Sequence, residues 1–182
     1  MAYYDMHVRF KPSASDLREL GFASACTGGE QVQECVIHNE NELSQAPAKG
    51  KISILACENP ELLRKGVKRF DLFFVSSFYP DTALMREVAR EEKAFEIPVN
   101  GLLRSGGYAR ANLLARMRFF VRLCIKYKAD FVLTSRASDR LEMKSVDELI
   151  AIAGMLGLEP QQAKHSLSDV AGRIISEAAS RH

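Results

Sequence analysis

The sequence predicts a single α/β domain built on a parallel sheet. Its 182 residues are 47% hydrophobic, which is enough to form the core of one domain. Short strand-like runs alternate with segments of helical spacing, a pattern typical of a parallel sheet, either open and doubly wound or closed into a (β/α) barrel. Barrels usually need at least ~200 residues. A closed barrel in this chain would therefore lack crossover helices, and residues 28–50 are where they are missing.

The first part of the chain contains the less regular elements. Residues 3–10 alternate and are rich in aromatic and β-branched types, which predicts a strand. Residues 13–21 predict a short helix, with a serine as its N-cap and a glycine at its end. Weaker strand patterns follow at 23–27 and 33–39. Residues 40–50 predict a surface connection with at most one helical turn.

From residue 52 onward, strands and helices alternate more clearly. The strands expected there are 52–56, 71–77, 95–100, 130–135 and 163–167. The helices expected there are 60–70, 81–94, 108–128, 145–156 and a terminal helix from Ser168. Ser145 and Glu148 have the spacing of a capping box, which marks a helix start. The whole chain thus offers about eight strands.

The apolar runs and the cysteines exclude several classes of protein. Runs such as 72–75 are far shorter than the ~18–20 residues of a membrane span. The opening segment MAYYDMHVRFK has no apolar stretch behind a basic start, so nothing in it predicts secretion. The cysteines have no C-x-x-C spacing and are typical of reduced core residues: Cys26, Cys35, Cys57 and Cys124. We therefore expect a cytoplasmic protein without a membrane partner.

The basic residues are distributed unevenly. The chain has 25 basic and 23 acidic residues, yet residues 104–144 hold ten of the basic residues and only three of the acidic ones. A nearly neutral chain thus contains one strongly cationic segment, which indicates a polyanionic partner. An ordinary solvated helix surface is the alternative interpretation.

The C-terminal half carries the motifs of a known family. Residues 108–138 and 144–168 combine a helix start R-A-N-L-L, a strand ending in T-S, a helix ending in G-M and a strand-like run Q-A-K-H-S-L-S. This stretch closely resembles the archaeal RNase P protein component 3 family, strongly over 100–170 and more weakly over 1–100. The resemblance implies a TIM-barrel-like (β/α) barrel of about eight strands as a single domain over 1–182. The barrel is shortened, with crossover helices reduced between strands 2 and 4.

The same resemblance implies a role in tRNA maturation. Ribonuclease P is an endonuclease in which an RNA, with bound Mg²⁺, removes the 5′ leader of precursor tRNA. The resemblance implies a noncatalytic subunit that supports this RNA and carries no cofactor of its own. The implied partners are the RNase P RNA, the component 2 protein, the other RNase P protein subunits and precursor tRNA within the complex. A protein-interaction module whose basic surface binds an acidic partner is an alternative.

Asp5 and His7 are weak candidates for a metal site. Two residues apart on the first strand, they share one face and resemble the start of the H-x-H motif of the polymerase and histidinol phosphatase superfamily. A metal-dependent phosphoesterase of that superfamily is therefore the alternative function. The first His of the motif is replaced here, and the cationic Arg9 opposes a metal. Further ligands would have to come from His38, Glu40 or Glu58. We expect no metal and no catalytic residue on this chain.

Four arginines follow two consecutive strands and form the first candidate RNA-binding set. Loops that follow strands share one rim of a (β/α) barrel, so these arginines are expected to cluster there. They are Arg104, Arg110, Arg136 and Arg140. The turn Ser105-Gly106-Gly107 precedes the long helix, where free backbone N–H groups favour a phosphate. A loop that simply needs glycine's conformational freedom explains the same turn.

The long helix supplies the second candidate RNA-binding set. Its apolar residues recur at three- and four-residue spacing and are expected to face the sheet: Leu113, Leu114, Met117, Phe120, Val121 and Cys124. Arg118, Arg122 and Lys126 recur every four residues on the opposite side, and Lys144 adds a further basic candidate near the rim. Like charges at this spacing repel mildly, and a polyanion relieves the repulsion. We rank the rim first and this stripe second.

Overall fold

The structure is a computed structural model that describes residues 1–44 and 47–181, and this part of the chain contains seven strands and eight α-helices. The strands are β1 (Tyr4–Val8), β2 (Ser24–Thr27), β3 (Val32–Val36), β4 (Ile52–Ala56), β5 (Leu72–Phe74), β6 (Ala94–Pro98) and β7 (Asp130–Thr134). The helices are α1 (Ala14–Leu20), α2 (Pro60–Gly66), α3 (Thr82–Arg90), α4 (Asn100–Arg104), α5 (Gly107–Tyr127), α6 (Val146–Met155), α7 (Pro160–Leu167) and α8 (Asp169–Ala179).

All strand pairs are parallel, as the alternation of strands and helices predicts. β1 pairs with β2, and β3 to β7 form a five-stranded sheet in chain order. Side chains from both sheets meet in one inner apolar cluster, which includes Met6 from β1, Ile54 from β4 and Val132 from β7. The strands therefore surround a common interior, and the fold is barrel-like.

Two seams interrupt the hydrogen-bonded ladder. Beside β7, the amide of Arg136 donates to the carbonyl of His7 at 2.9 Å, and the amide of Arg9 donates to the carbonyl of Ala137 at 2.8 Å. At the other seam, β2 and β3 belong to different sheets, and an isolated bridge joins Gly28 to Val32. The described strands thus come close to closing a barrel without forming a continuous ladder around it.

The connections between β2 and β4 are short, as expected. Residues 28–31 join β2 to β3 without a helix, and the described part of the β3–β4 connection contains one 3-10 helix, Glu40–Ser44. In these stretches the described residues form no α-helix, so the barrel wall lacks the cover that crossover helices give elsewhere. The expectation of reduced crossover helices is confirmed.

Helix α8 closes the end of the barrel where the strands begin. Its buried face packs against the inner strand residues through Val170, Ala171, Ile174 and Ala178. Arg173 donates to Asp130 at the start of β7 at 2.7 Å, and Arg181 pairs with Asp71 just before β5 at 2.9 Å. The opposite end, where the strands finish, stays available for a site.

Helix α5 packs along the outside of the sheet through an aromatic contact. Phe120 lies edge-to-face with Phe95 of β6, with ring centroids 5.1 Å apart. The apolar residues assigned to this face are buried or half-buried, as predicted: Leu113, Leu114, Met117, Phe120, Val121 and Cys124. The helical spacing of the sequence therefore identified the inner face of α5.

The structure corrects the expected number of strands. Residues 163–167 form part of α7 rather than an eighth strand. Glu159 and Gln162 form a capping box, and Pro160 occupies the first turn, where its missing N–H costs nothing. The buried residues Ala163, Ser166 and Leu167 have the three- and four-residue spacing of a helix face. Helix α4, over Asn100–Arg104, was not predicted, and its first residue was assigned to the end of the strand 95–100.

Other sequence-based expectations are confirmed. The capping box of Ser145 and Glu148 starts α6, and Ser13 caps α1, which Gly21 ends with a left-handed φ of 83°. All four cysteines are free thiols, three of them buried. Among the described helices, none has the length and apolarity to cross a membrane.

Candidate nucleic-acid interface

The basic stripe of α5 lies on the exposed face of that helix. Arg118, Arg122 and Lys126 are all exposed, opposite the buried face that Phe120 and Cys124 share. Among residues 1–44 and 47–181, no carboxylate lies within 4 Å of these three cationic groups. Their positive charge is therefore uncompensated within the described structure.

A shallow depression lies beside the stripe. Arg118 and Arg122 line it together with Leu156 and Gly157, which follow α6, and its volume is about 230 Å³. Lys126 lies over the ring of Tyr127, 5.6 Å from its centroid. Two guanidinium groups at the edge of a depression suit a phosphate, because each planar group can donate two hydrogen bonds.

Arg104 on the rim is engaged by a carboxylate of the next loop. Its Nε and Nη2 atoms donate to Oε1 of Glu142 at 3.0 and 2.6 Å, and Nη2 also donates to Ser138. The hydrogen bonds from Arg104 hold the pKa of Glu142 below its usual range. The loops that follow β6 and β7 therefore do meet, as the barrel geometry predicts, but Arg104 is already ion-paired.

Arg110 and Arg140 on the rim also have hydrogen-bond partners. Arg140 donates through Nε to Asp16 at 3.0 Å and through Nη2 to Glu19 at 3.0 Å, and these contacts raise its pKa. Arg110 donates to the backbone oxygen of Ser105 at 2.7 Å. Lys144 is half-buried directly before the helix cap Ser145. The rim is thus less available to a polyanion than its arginines alone suggest.

The expectation that Arg136 is an exposed residue of the rim is wrong. Its relative exposure is 5%, and its backbone adopts the left-handed φ of 46°. The guanidinium donates to both oxygens of Glu96 and to Glu34 at 2.8 Å. It also lies 4.1 Å above the ring of Phe74. Sequence position alone places Arg136 on the rim, whereas the buried Glu96 draws its side chain into the barrel.

Glu96 is the centre of a buried polar cluster at the carboxyl ends of the strands. Its Oε1 atom lies 2.9 Å from Nδ1 of His7 and accepts from the hydroxyl of Thr134, also at 2.9 Å. Burial alone raises the pKa of Glu96, but hydrogen bonds from Arg136 and His7 outweigh it and lower the pKa to about 2. Glu96 is therefore ionised at neutral pH.

Asp5 lies near this cluster and is poorly satisfied. Its Oδ1 atom accepts from the amide of Ser135 at 3.1 Å, whereas Oδ2 is buried without a hydrogen-bond partner among the described residues. Burial raises the pKa of Asp5 to about 6, and the hydrogen bonds from Ser135 only partly oppose it. Asp5 therefore carries a destabilising charge at neutral pH.

The turn before α5 is exposed. Ser105 donates from its hydroxyl to the carbonyl of Leu102, Gly106 is the N-cap residue, and Gly107 has a φ of 50°. No side chain caps the first turn of α5. The free N–H groups of this first turn are thus available to solvent or to an anion. The positive φ of Gly107 also explains, without any ligand, why a glycine stands at this position.

Comparison with known proteins decides the family. The family described as RNase P subunit p30 matches residues 41–182, well over half of the chain. The chain belongs to the RNase P subunit p30 family. The match contains the whole cationic segment and α5, whereas β1 with Asp5 and His7 precedes it.

Archaeal relatives agree with this assignment. Ribonuclease P protein component 3 of Methanothermobacter thermautotrophicus is 30% identical over 99 residues, covering 54% of this chain and 40% of the relative. The protein of the same name from Methanosarcina barkeri is 29% identical over 147 residues, covering 81% of this chain and 56% of the relative. The p30-family chain thus spans about half the length of the curated relatives it matches.

A solved structure confirms the fold. A chain of the cryo-EM structure of archaeal ribonuclease P with mature tRNA superposes with a TM-score of 0.69. The match covers 96% of the p30-family chain and 80% of the chain in the archaeal structure, at 17% sequence identity. The parallel α/β architecture predicted from the sequence is therefore confirmed.

The phosphoesterase alternative needs several converging metal ligands, and the described residues can be compared with that requirement. Among the described residues, no three His, Cys, Asp or Glu side chains converge as a metal site. The Asp5 carboxylate accepts from the amides of Ser135 and His7, whereas the His7 imidazole lies against Glu96, so the two side chains contact different groups. The Arg136 guanidinium already supplies the positive charge beside Glu96.

Sequence reasoning missed the carboxylates that engage the basic residues. Glu34 and Glu96 hold Arg136, and the rim arginines are held by Glu142, Asp16 and Glu19. One signal was present for Glu96, because a carboxylate within the apolar run F-E-I-P-V must have a partner when the strand is buried. The surface pairs had no local signal, since Arg140 and Asp16 are 124 positions apart.

Proposed function

We propose that this chain is a protein subunit of ribonuclease P and that it binds the RNase P RNA through the exposed stripe of Arg118, Arg122 and Lys126 on α5. The observation that carries the proposal is the uncompensated charge of this stripe in a chain of the p30 family. The archaeal relatives named ribonuclease P protein component 3 support the same role.

The chain supports an RNA-based reaction and does not perform it. RNase P removes the 5′ leader of precursor tRNA, and the Mg²⁺ that this cleavage uses belongs to the RNA component. The partners are the RNase P RNA, the component 2 protein, the other protein subunits and precursor tRNA, in the cytoplasm. The side chains around Glu96 hydrogen-bond one another, which suits a structural role for that cluster.

The stripe suits RNA because of its geometry and charge. Successive members are four residues apart, so they lie one above the other along α5. They can track a phosphate backbone, and the depression beside Arg118 and Arg122 gives room for one phosphate. The ion pairs of Arg104 and Arg140 make the rim the weaker surface, which reverses the ranking drawn from the sequence.

Salt dependence of RNA binding tests the proposal. If phosphates dominate, the affinity for RNase P RNA falls as salt rises, with a log–log slope of ~0.7–0.9 for each phosphate contacted. Filter binding or fluorescence anisotropy from low to physiological salt measures this slope. A flat response, with tight binding to an acidic protein subunit instead, would overturn the RNA proposal and favour the protein-interaction alternative.

A further inference from the structure

A cleft opens at the seam between β2 and β3. Its volume is about 390 Å³, and its lining includes His7, Arg9, Gly28, Gly29 and Lys51. The seam exists because residues 28–31 connect the two strands without a crossover helix. The cleft lies on a different part of the fold from the stripe on α5.

His7 presents one ring nitrogen to this cleft. Its Nδ1 atom is 2.9 Å from the carboxylate of Glu96, so Nδ1 carries a proton and Nε2 is the remaining polar atom. A Cβ atom on Gly28 would lie 3.6 Å from Nε2 and cover it. The absence of a side chain at Gly28 therefore leaves Nε2 open towards the cleft, while the ring is fixed from behind by Glu96.

The cleft also holds two cations without carboxylate partners in the part of the chain described. Arg9 is exposed, and its backbone amide is fixed by the carbonyl of Ala137 at 2.8 Å. Lys51 donates from Nζ to the backbone oxygen of Gly29, which holds the ammonium group beside the two glycines. Neither side chain forms an ion pair among residues 1–44 and 47–181.

The acidic residue of the cleft is engaged by Arg136. Glu34 lines the cleft, and its Oε1 atom lies 2.8 Å from Nη2 of Arg136, which Glu34 shares with Glu96. Arg9 and Lys51 are the cations of the cleft that no described carboxylate engages. A guanidinium and an ammonium provide several donors around one small space, the arrangement that the oxygens of a tetrahedral phosphoryl group require.

We propose that this cleft binds a phosphoryl group of RNA, with Arg9 and Lys51 pairing with its oxygens and Nε2 of His7 contacting it from the barrel interior. The identity of the ligand as RNA rests on the proposed function, whereas the affinity for a phosphoryl group rests on the cleft alone. A terminal phosphate and a backbone phosphate of RNA both present such a phosphoryl group. Binding of short RNA oligonucleotides, described below, distinguishes the two.

The first experiment titrates the whole chain with inorganic phosphate at constant ionic strength, with chloride as the reference anion. The imidazole signals of His7 are followed by NMR and assigned with the His7→Gln variant. We expect saturable shifts in the unaltered chain. We expect at least roughly tenfold weaker binding in Arg9→Gln/Lys51→Gln, because two charge-assisted hydrogen bonds are lost.

Two further variants make this result specific. Gly28→Ala adds only a methyl group, and its contacts of 3.5 and 3.6 Å are ordinary, so the chain should fold while Nε2 is covered. We expect this variant to weaken phosphate binding too. Lys68→Gln/Arg116→Gln removes as much charge from exposed positions outside the cleft and should leave the phosphate response of His7 unchanged. Equal responses in all variants, or no saturable shift in the unaltered chain, would overturn the proposed site.

Short RNA oligonucleotides then identify the source of the phosphoryl group. Tighter binding of a 5′-phosphorylated oligonucleotide than of its 5′-hydroxyl counterpart indicates a terminal phosphate, and equal binding that depends on Arg9 and Lys51 indicates a backbone phosphate. If inorganic phosphate binds and neither oligonucleotide does, RNA is overturned as the source. The RNase P proposal fails separately, through a flat salt dependence of RNase P RNA binding, so the two failures are distinguishable.

Discussion

Arg136 donates through Nε to Oε1 of Glu96 at 2.9 Å, which joins the loop after β7 to the middle of β6 inside the barrel. Both side chains are almost completely buried. A buried ion pair is costly to break from one side, because the remaining charge loses its partner without regaining water. This pair therefore fixes the structure at the carboxyl ends of the strands.

Replacing Arg136 with methionine should strongly destabilise the chain. Glu96 would stay buried with His7 and Thr134 as its remaining partners, and we expect a loss of about 3–5 kcal/mol in the free energy of unfolding. Urea denaturation measures it. Arg104→Met is the matched control, since its pair with Glu142 is exposed and worth only ~0–1 kcal/mol.

A second substitution tests the cause of that loss. Glu96→Gln in the Arg136→Met background removes the uncompensated charge, so the double variant should be more stable than Arg136→Met alone. A double variant that is less stable would show that packing of Arg136 against Phe74, rather than charge, dominates its contribution.

The carboxyl group of Asp5 should make stability fall between about pH 4 and pH 6. Burial raises the pKa of Asp5 to about 6, above its value of 3.8 in the unfolded chain. Over this window the Asp5 carboxyl group loses its proton in the unfolded chain, where water surrounds it. In the folded chain the same group is buried, so its ionisation is unfavourable. Stability is therefore highest below the unfolded pKa and is lost as pH rises through the folded pKa, by about 3 kcal/mol in all.

Asp5→Asn should remove this dependence. We expect the difference in unfolding free energy between the unaltered chain and Asp5→Asn to change steadily from pH 4 to pH 6 and then level off. Asp16→Asn is the control of opposite sign, because hydrogen bonds from Ser13 lower the pKa of Asp16. The stabilising contribution of the Asp16 carboxylate should be present above about pH 4 and be lost only as pH falls below that value. A flat difference for Asp5→Asn would show that its carboxyl group ionises as it does in water.

Two helical glycines should respond in opposite ways to substitution by alanine. A Cβ at Gly66 in α2 would lie 2.4 Å from Cδ2 of the buried Leu55, so Gly66→Ala should cost about 1–3 kcal/mol through overpacking. A Cβ at Gly154 in α6 meets nothing within 4 Å, and Gly154→Ala should gain up to ~1 kcal/mol from helix propensity. Thermal or urea unfolding of the two variants measures both signs.

The elements that the sequence predicts well are those with a local physical cause. The capping box of Ser145 and Glu148 and the spacing from Met117 to Cys124 involve neighbours in the same helix, so they are visible in the sequence. The prediction of a strand at 163–167 was wrong because a run of only five residues is compatible with either a strand or a helix. The capping box at Glu159 indicates a helix. Short runs of this kind need their flanking residues for a correct interpretation.

The candidate site was predictable in part. The exposed position of Arg118 and Arg122 follows from helical periodicity and was identified. The burial of Arg136 depends on Glu96, forty positions earlier, and the pairing of Arg140 depends on α1 at the start of the chain. Such long-range ion pairs decide which arginines stay free, and no local pattern reveals them.

Double variants of the stripe and of the rim test which arginines bind RNA. Arg118→Ala/Arg122→Ala removes two cations that no carboxylate of the described residues engages. Arg104→Ala/Arg140→Ala removes two cations that are held by Glu142, Asp16 and Glu19. Each stripe substitution should change stability by less than ~0.5 kcal/mol, since it lies away from the core. Circular dichroism verifies that both double variants keep the helicity of the unaltered chain.

We expect the stripe variant to bind RNase P RNA more weakly than the rim variant and to support less reconstituted activity. If each stripe arginine contacts one phosphate, the salt dependence of its binding should also be shallower by ~1.4–1.8 in log–log slope, whereas the rim variant should keep the original slope. A stripe variant that behaves like the unaltered chain beside a defective rim variant would place the RNA on the rim. In that case the RNA would have to displace Glu142 from Arg104, because a free guanidinium is needed for each phosphate.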